Sequence, residues 1–199
     1  MVHIRFRSMF AVFLALAVSL GSSWPVLAGA PTEQIRAAVD QGIEILKGAK
    51  LDDGRQRADV INRLRAIVYP LFDFREMAKR SLGAHWRRIS PQQQDEFVAS
   101  FTELLEKSYA DKLDLYDGQK VAYAGEAIEK DFAVVNTKLI GKNQSFSVDY
   151  KLQLVDGKWK IYDVVVENIS VVNNYRSQFN RILTNSSFDD LIQKIRTKI

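Results

Sequence analysis

Acid–base chemistry needs a titratable side chain with positioned partners, and this chain offers few. It holds two histidines, His3 and His85. His85 stands in Gly83-Ala84-His85-Trp86 with no second histidine at metal-ligand spacing, so the reading expects no metal site. There is no cysteine, which removes disulfides, thiolate nucleophiles and a lipid-modified cysteine. No glycine-rich phosphate loop occurs, so any ATP hydrolysis belongs to another protein. Asp149, Asp163 and Glu167 lie in or beside strand-like sequence. Converging in a cleft of a curved sheet, they would serve proton transfer. The plainer alternative puts Asp149 on a wet face and pairs Asp163 with a lysine or arginine. No nucleophile stands with a base, and no catalytic residue is assigned.

The other chemistry available is apolar. Phe97, Phe101, Leu105, Tyr109, Phe146, Val148, Tyr150, Ile169, Val171, Val172 and Tyr175 combine helical and strand spacing. They would line one chamber, or else fill an ordinary core. A stripe reads the same whether it faces protein or ligand.

The element that organises these residues runs from Trp159 to Phe179. Ile161 and Val164-Val165-Val166 read as a buried strand. Ser170 then caps a helix carrying Val171, Val172, Tyr175 and Phe179. Upstream, Thr32 is expected to cap a first helix that Gly48 ends, and a second stops before Pro70. Asp73 with Glu76 opens a short helix, and Ser90-Pro91-Gln92-Gln93 opens a long one. Beyond Gly118 the period falls to two. Strands are expected around Val121–Tyr123, 133–139, 146–154 and 159–166, with Asp156-Gly157 as a hairpin turn. A last helix follows Asn185-Ser186-Ser187. The fold class is therefore α+β: a helical N-terminal half, a four-stranded antiparallel sheet, and C-terminal helices packing on that sheet to enclose an apolar pocket.

The first residues read as a secretory leader. Arg5 and Arg7 precede the apolar run Met9 to Leu20, and Val26-Leu27-Ala28 supplies small residues for cleavage after Ala28. Residues 29–199 are then one domain. Losing the leader removes two arginines and no acid, so a net charge of +4 becomes +2. No basic block interleaved with aromatics is present, which argues against nucleic acid as a partner.

Three ordered motifs carry a resemblance. Trp159, Tyr162-Asp163, Glu167 and Ser170 match W-x-x-Y-D-hydrophobic-E-G-V-S, with Asn168 in place of glycine and Ile169 in place of valine. Phe72 to Trp86 matches F-D-F-x-x-M-A-x-x-x-L-G-x-x-W. Pro91, Gln93, Phe97, Phe101, Leu104-Leu105 and Tyr109 match a third. The chain resembles the MlaC family, the periplasmic phospholipid shuttles of the Mla pathway, also known as toluene-tolerance auxiliary proteins. The resemblance implies an MlaC-like, NTF2-like sheet and a periplasmic monomer that is not an enzyme. It implies bound phospholipid as cargo and no other cofactor. The partners implied are an inner-membrane ABC transporter complex with a periplasmic lipid-binding ring and an outer-membrane lipoprotein complex. Lipid tails would occupy the chamber, with Arg80, Arg87 or Arg88 at a phosphate rim. Relatives accompany hopanoid and solvent-tolerance systems, so a polycyclic lipid is the alternative cargo. A small NTF2-like enzyme using Asp163 is the third reading.

Overall fold

Side-chain caps at the helix starts set the helical half. The computed structural model describes residues 30–49, 51, 53–110, 113, 116, 118–142 and 144–198. The expected leader, residues 1–28, lies outside them. Helix α1 spans Ala30–Leu46 and α2 spans Gly54–Val68. A 3-10 turn, Tyr69–Leu71, carries Pro70 and leads into α3, Phe74–Leu82. Asp73 accepts from the Glu76 amide at 2.8 Å, but Glu76 turns its carboxylate to Arg80 instead of closing the box. Helix α4, Pro91–Ala110, does close one: Ser90 Oγ accepts from the Gln93 amide, and Gln93 Oε1 accepts from the Ser90 amide.

Thr32 was expected to cap α1, yet the helix begins two residues earlier. The Thr32 amide donates to Glu126 Oε2 at 2.7 Å, so a carboxylate ninety-four residues away does the capping. Among the described residues no helix is long and apolar enough to cross a membrane.

The sheet is a meander of β1 (Lys120–Glu129), β2 (Phe132–Ile140), β3 (Ser145–Val155) and β4 (Lys158–Val166), in that spatial order and antiparallel. It has five strands and not four. The fifth, β5, is Ile169–Ser170, paired with Val166 and Val165. A two-residue turn joins β4 to β5, with Glu167 at φ 48° and Asn168 at φ 64°. Asparagine tolerates this region. Glutamate does so less readily, and here its carboxylate is held by the Ser147 amide and hydroxyl while its own amide donates to the Ser147 carbonyl. Asp156-Gly157 makes the expected β3–β4 hairpin, both residues at positive φ.

Two bulges curve the sheet: Ala124 is extra in β1, and Tyr162 is extra in β4. The inner face carries Ala133, Val135, Thr137 and Leu139 of β2 opposite Leu152, Tyr150, Val148 and Phe146 of β3. Ile35 of α1 packs on this face with Ala133, Val135, Leu152 and Ile161. A second core joins α3 and α4 to α5 (Val171–Leu183) and α6 (Phe188–Arg196) through Met77, Phe97, Phe101, Phe179 and Leu191.

Candidate functional site

Between the two cores the protein is not filled. A cavity of about 430 Å³ lies between the helices and the inner sheet face. Ile61, Leu64 and Val68 of α2 form one wall. Phe72, Phe74 and Met77 form a second, and Leu105, Tyr109 and Ala110 of α4 a third. Tyr150 of β3, Val164 of β4 and Val171 of α5 close it. Such a volume falls within the roughly 300–1,000 Å³ of small-molecule sites. At roughly 30 Å³ for a group the size of water, it takes about fourteen methylene-sized groups.

Three polar residues of the lining, Arg65, Tyr69 and Glu106, form one network. Glu106 of α4 accepts from the Arg65 guanidinium and from the Tyr69 hydroxyl. Burial and the Glu106 acceptor push the Tyr69 phenol up to about 12. Burial alone would raise the Glu106 carboxyl, but the bonds from Arg65 and Tyr69 outweigh it and hold it below its ordinary range. The network ties α2 and the 3-10 turn to α4. A lowered carboxyl stabilises the fold fully above its unfolded value, 4.5, and the contribution is lost as pH falls through the folded value. Glu106→Gln is therefore expected to lower the thermal midpoint at pH 7. The wild-type and variant midpoints should converge below pH 4.5. A gap that persisted in acid would show that the carboxylate charge is not what holds α2.

Of the residues expected at a chamber, Leu105, Tyr109, Tyr150 and Val171 line this cavity. Phe97, Phe101 and Val172 are buried in the helical core, with Tyr175 packed against them. Phe146 and Ile169 are exposed, and Val148 is half-buried. None of these seven lines the cavity. The three arginines expected at a rim do not line it either. Arg80 Nε donates to Glu76 at 2.8 Å and its guanidinium lies 4.2 Å from the Tyr162 ring centroid. Arg87 and Arg88 are exposed on the 3-10 helix Gly83–Arg88. The arginine at the cavity is Arg65. Sequence reading also passed over Ile61, Leu64 and Val68 as wall residues. Their signal was present as a stripe at i, i+3 and i+7, flanked on the same helix by Val60 and Ile67.

Asp163 is engaged structurally. The Tyr162 bulge turns it outward opposite Lys151, whose Nζ is 3.7 Å away. Its carboxylate accepts from the Ser170 hydroxyl at 2.7 Å and the Val172 amide at 3.1 Å. Ser170 in turn accepts from the Asn173 amide, so the pair caps α5 and fixes Val171 beside the cavity. Asp163→Ala strands two buried donors and should cost about 1–3 kcal/mol in urea unfolding. A loss below about 0.5 kcal/mol would mean that water replaces the carboxylate. His85 lies 3.0 Å from Asn180 Oδ1. Among the described residues no group of three or more His, Asp or Glu is placed to hold a metal ion.

Known proteins resemble this chain in fold and in sequence. The solved structure of a phospholipid-binding protein from Ralstonia solanacearum, in complex with a phospholipid, superposes with a TM-score of 0.74 at 23% identity. The match covers 83% of this chain and 94% of that one. The intermembrane phospholipid transport system binding protein MlaC of Haemophilus influenzae is 26% identical over 145 residues, 68% of each chain. Toluene tolerance protein ttg2D of Pseudomonas putida is 28% identical over 124 residues, covering 61% of this chain and 56% of that protein. The model of the family described as MlaC protein matches residues 36–197, which include every strand and the cavity lining, and the chain therefore belongs to the MlaC family.

Proposed function

We propose that this protein is a soluble periplasmic carrier that holds phospholipid acyl chains in the cavity and moves lipid between membrane complexes. The observation that carries the reading is the cavity itself, about 430 Å³ walled almost wholly by aliphatic and aromatic side chains. A diacyl lipid has about 30 methylenes, and exposing each to water costs about 0.8 kcal/mol. Crossing water unaided would cost roughly 20 kcal/mol or more. A dry protein chamber replaces the bilayer interior and makes the exchange nearly neutral. The protein then needs no chemistry of its own, and direction comes from its partners. Those partners are an inner-membrane ABC transporter complex with a lipid-binding ring and an outer-membrane lipoprotein complex. The relatives' names, which speak of intermembrane phospholipid transport and a phospholipid complex, support this reading.

The cavity has room for about one acyl chain, so a two-tailed lipid requires it to widen. Native mass spectrometry of protein purified from a bacterial periplasm without detergent tests the proposal. A stoichiometric adduct with the mass of a diacyl phospholipid is expected, identified after organic extraction. A polycyclic lipid adduct would change the cargo. A folded protein that carries no lipid and takes up none would sink the carrier reading.

A further inference from the structure

The apolar inner face does not stop at the cavity. In register beyond Tyr150 and Val164 come the paired Val148 and Val166, then Phe146 opposite Leu139. Ile169, two residues before Val171, pairs with Val166. From Tyr150 to Phe146 is four residues, about 14 Å of strand. Phe146 is 36% exposed and Ile169 is 63% exposed. Ile140, in the next register position to Leu139, points to the opposite face of the sheet and is 43% exposed. The end of the sheet thus shows large apolar side chains on both faces.

Charge at this end is uneven. Lys120, Lys138 and Lys142 are exposed there. The acids among the described residues nearest this edge are Glu167, whose carboxylate is engaged by Ser147 and lies near Lys138, and the half-buried Asp149, one register position farther in. At the far end of the sheet Glu126, Glu129, Asp131 and Asp156 stand with Lys130, Lys158 and Lys160.

We propose that this sheet end, with Ile140, Phe146 and Ile169 at its tip and Lys120 and Lys138 beside them, docks the protein on an anionic lipid bilayer surface. The proposal rests on the carrier reading. The lysines beside the tip complement anionic headgroups, and a fluid headgroup layer takes up side chains from both faces. The lysines meet lipid phosphates while the apolar tip enters the interface. The inner face then forms a continuous apolar track from the bilayer to the cavity.

Co-sedimentation with vesicles tests this, using the protein purified from the periplasm. One vesicle set is phosphatidylglycerol with phosphatidylethanolamine, and the other is phosphatidylcholine alone. Binding to the anionic set is expected, weakened by 0.5 M salt by about tenfold or more. Ile140→Asp should reduce it by about tenfold or more, as should the double variant Lys120→Glu/Lys138→Glu. Ile140 and the lysines lie off the cavity, so bound lipid in native mass spectra should be unchanged in each variant. Two outcomes overturn the proposal: lipid-loaded protein that ignores both vesicle sets, or anionic binding that Ile140→Asp leaves intact while the lysine variant removes it. Protein that binds anionic vesicles through Ile140 but carries no lipid would leave the docking surface standing and defeat the carrier reading instead.

Discussion

Val171→Asp is expected to empty the protein of lipid without unfolding it. Val171 is half-buried, lines the cavity and is the first residue of α5. An acid in the first turn favours a helix, because its charge opposes the positive end of the helix dipole. The fold therefore loses little. An acyl chain placed against that carboxylate strips its water with nothing to replace it, which costs several kcal/mol. Affinity should fall by about a hundredfold or more, since 1.4 kcal/mol is a factor of ten. Tyr109→Asp reaches the same cavity from α4, where Tyr109 is 47% exposed, and should act alike. Native mass spectra would report lipid occupancy, and circular dichroism melts would report the fold. Unchanged occupancy in both variants would mean that lipid does not lie in this cavity.

The sequence was most legible where structure is decided within a few residues. Ser90 with Gln93 and Asp156-Gly157 are local devices, and each appears where expected. Thr32 misled because the carboxylate that serves its amide comes from β1. The bulge at Tyr162 has no local signature, and the one at Ala124 is marked only by Gly125 beside it, yet both set the sheet's curvature. Strand β5 escaped notice because it is two residues long and follows a turn that uses a glutamate at positive φ.

The site was legible as a set of stripes and not as a wall. On α4 one stripe holds Phe97, Phe101, Leu105 and Tyr109. Its first turns are covered by α5 and α6, and its last turns are left facing open space. Nothing in the spacing records where that cover ends. On β3 the alternation gave the inner face correctly from Phe146 to Leu152 but not which residues lie over the cavity. Tyr150 does, while Phe146 runs past it to the sheet's end. The α2 stripe looked like any amphipathic helix, because its partner is a cavity instead of a packed face.

That division predicts a second large effect, opposite in kind to the first. Phe101 is wholly buried and meets three aromatic rings: Phe97 stacked at 5.6 Å, Tyr175 edge-on at 5.1 Å and Phe179 edge-on at 5.6 Å. Phe101→Ala removes a full aromatic side chain from a site whose neighbours come from two helices and cannot close the gap. It should cost about 3–5 kcal/mol in urea unfolding. For a domain of this size that is a drop of roughly 6–20 °C in the thermal midpoint. Below that midpoint the variant should still carry lipid, because Phe101 does not line the cavity. Val171→Asp and Phe101→Ala thus separate binding from stability on two residues that sequence placed in one chamber. Loss of lipid from a folded Phe101→Ala protein, with its melting point little changed, would show that the bound state opens the helical core itself to the acyl chains.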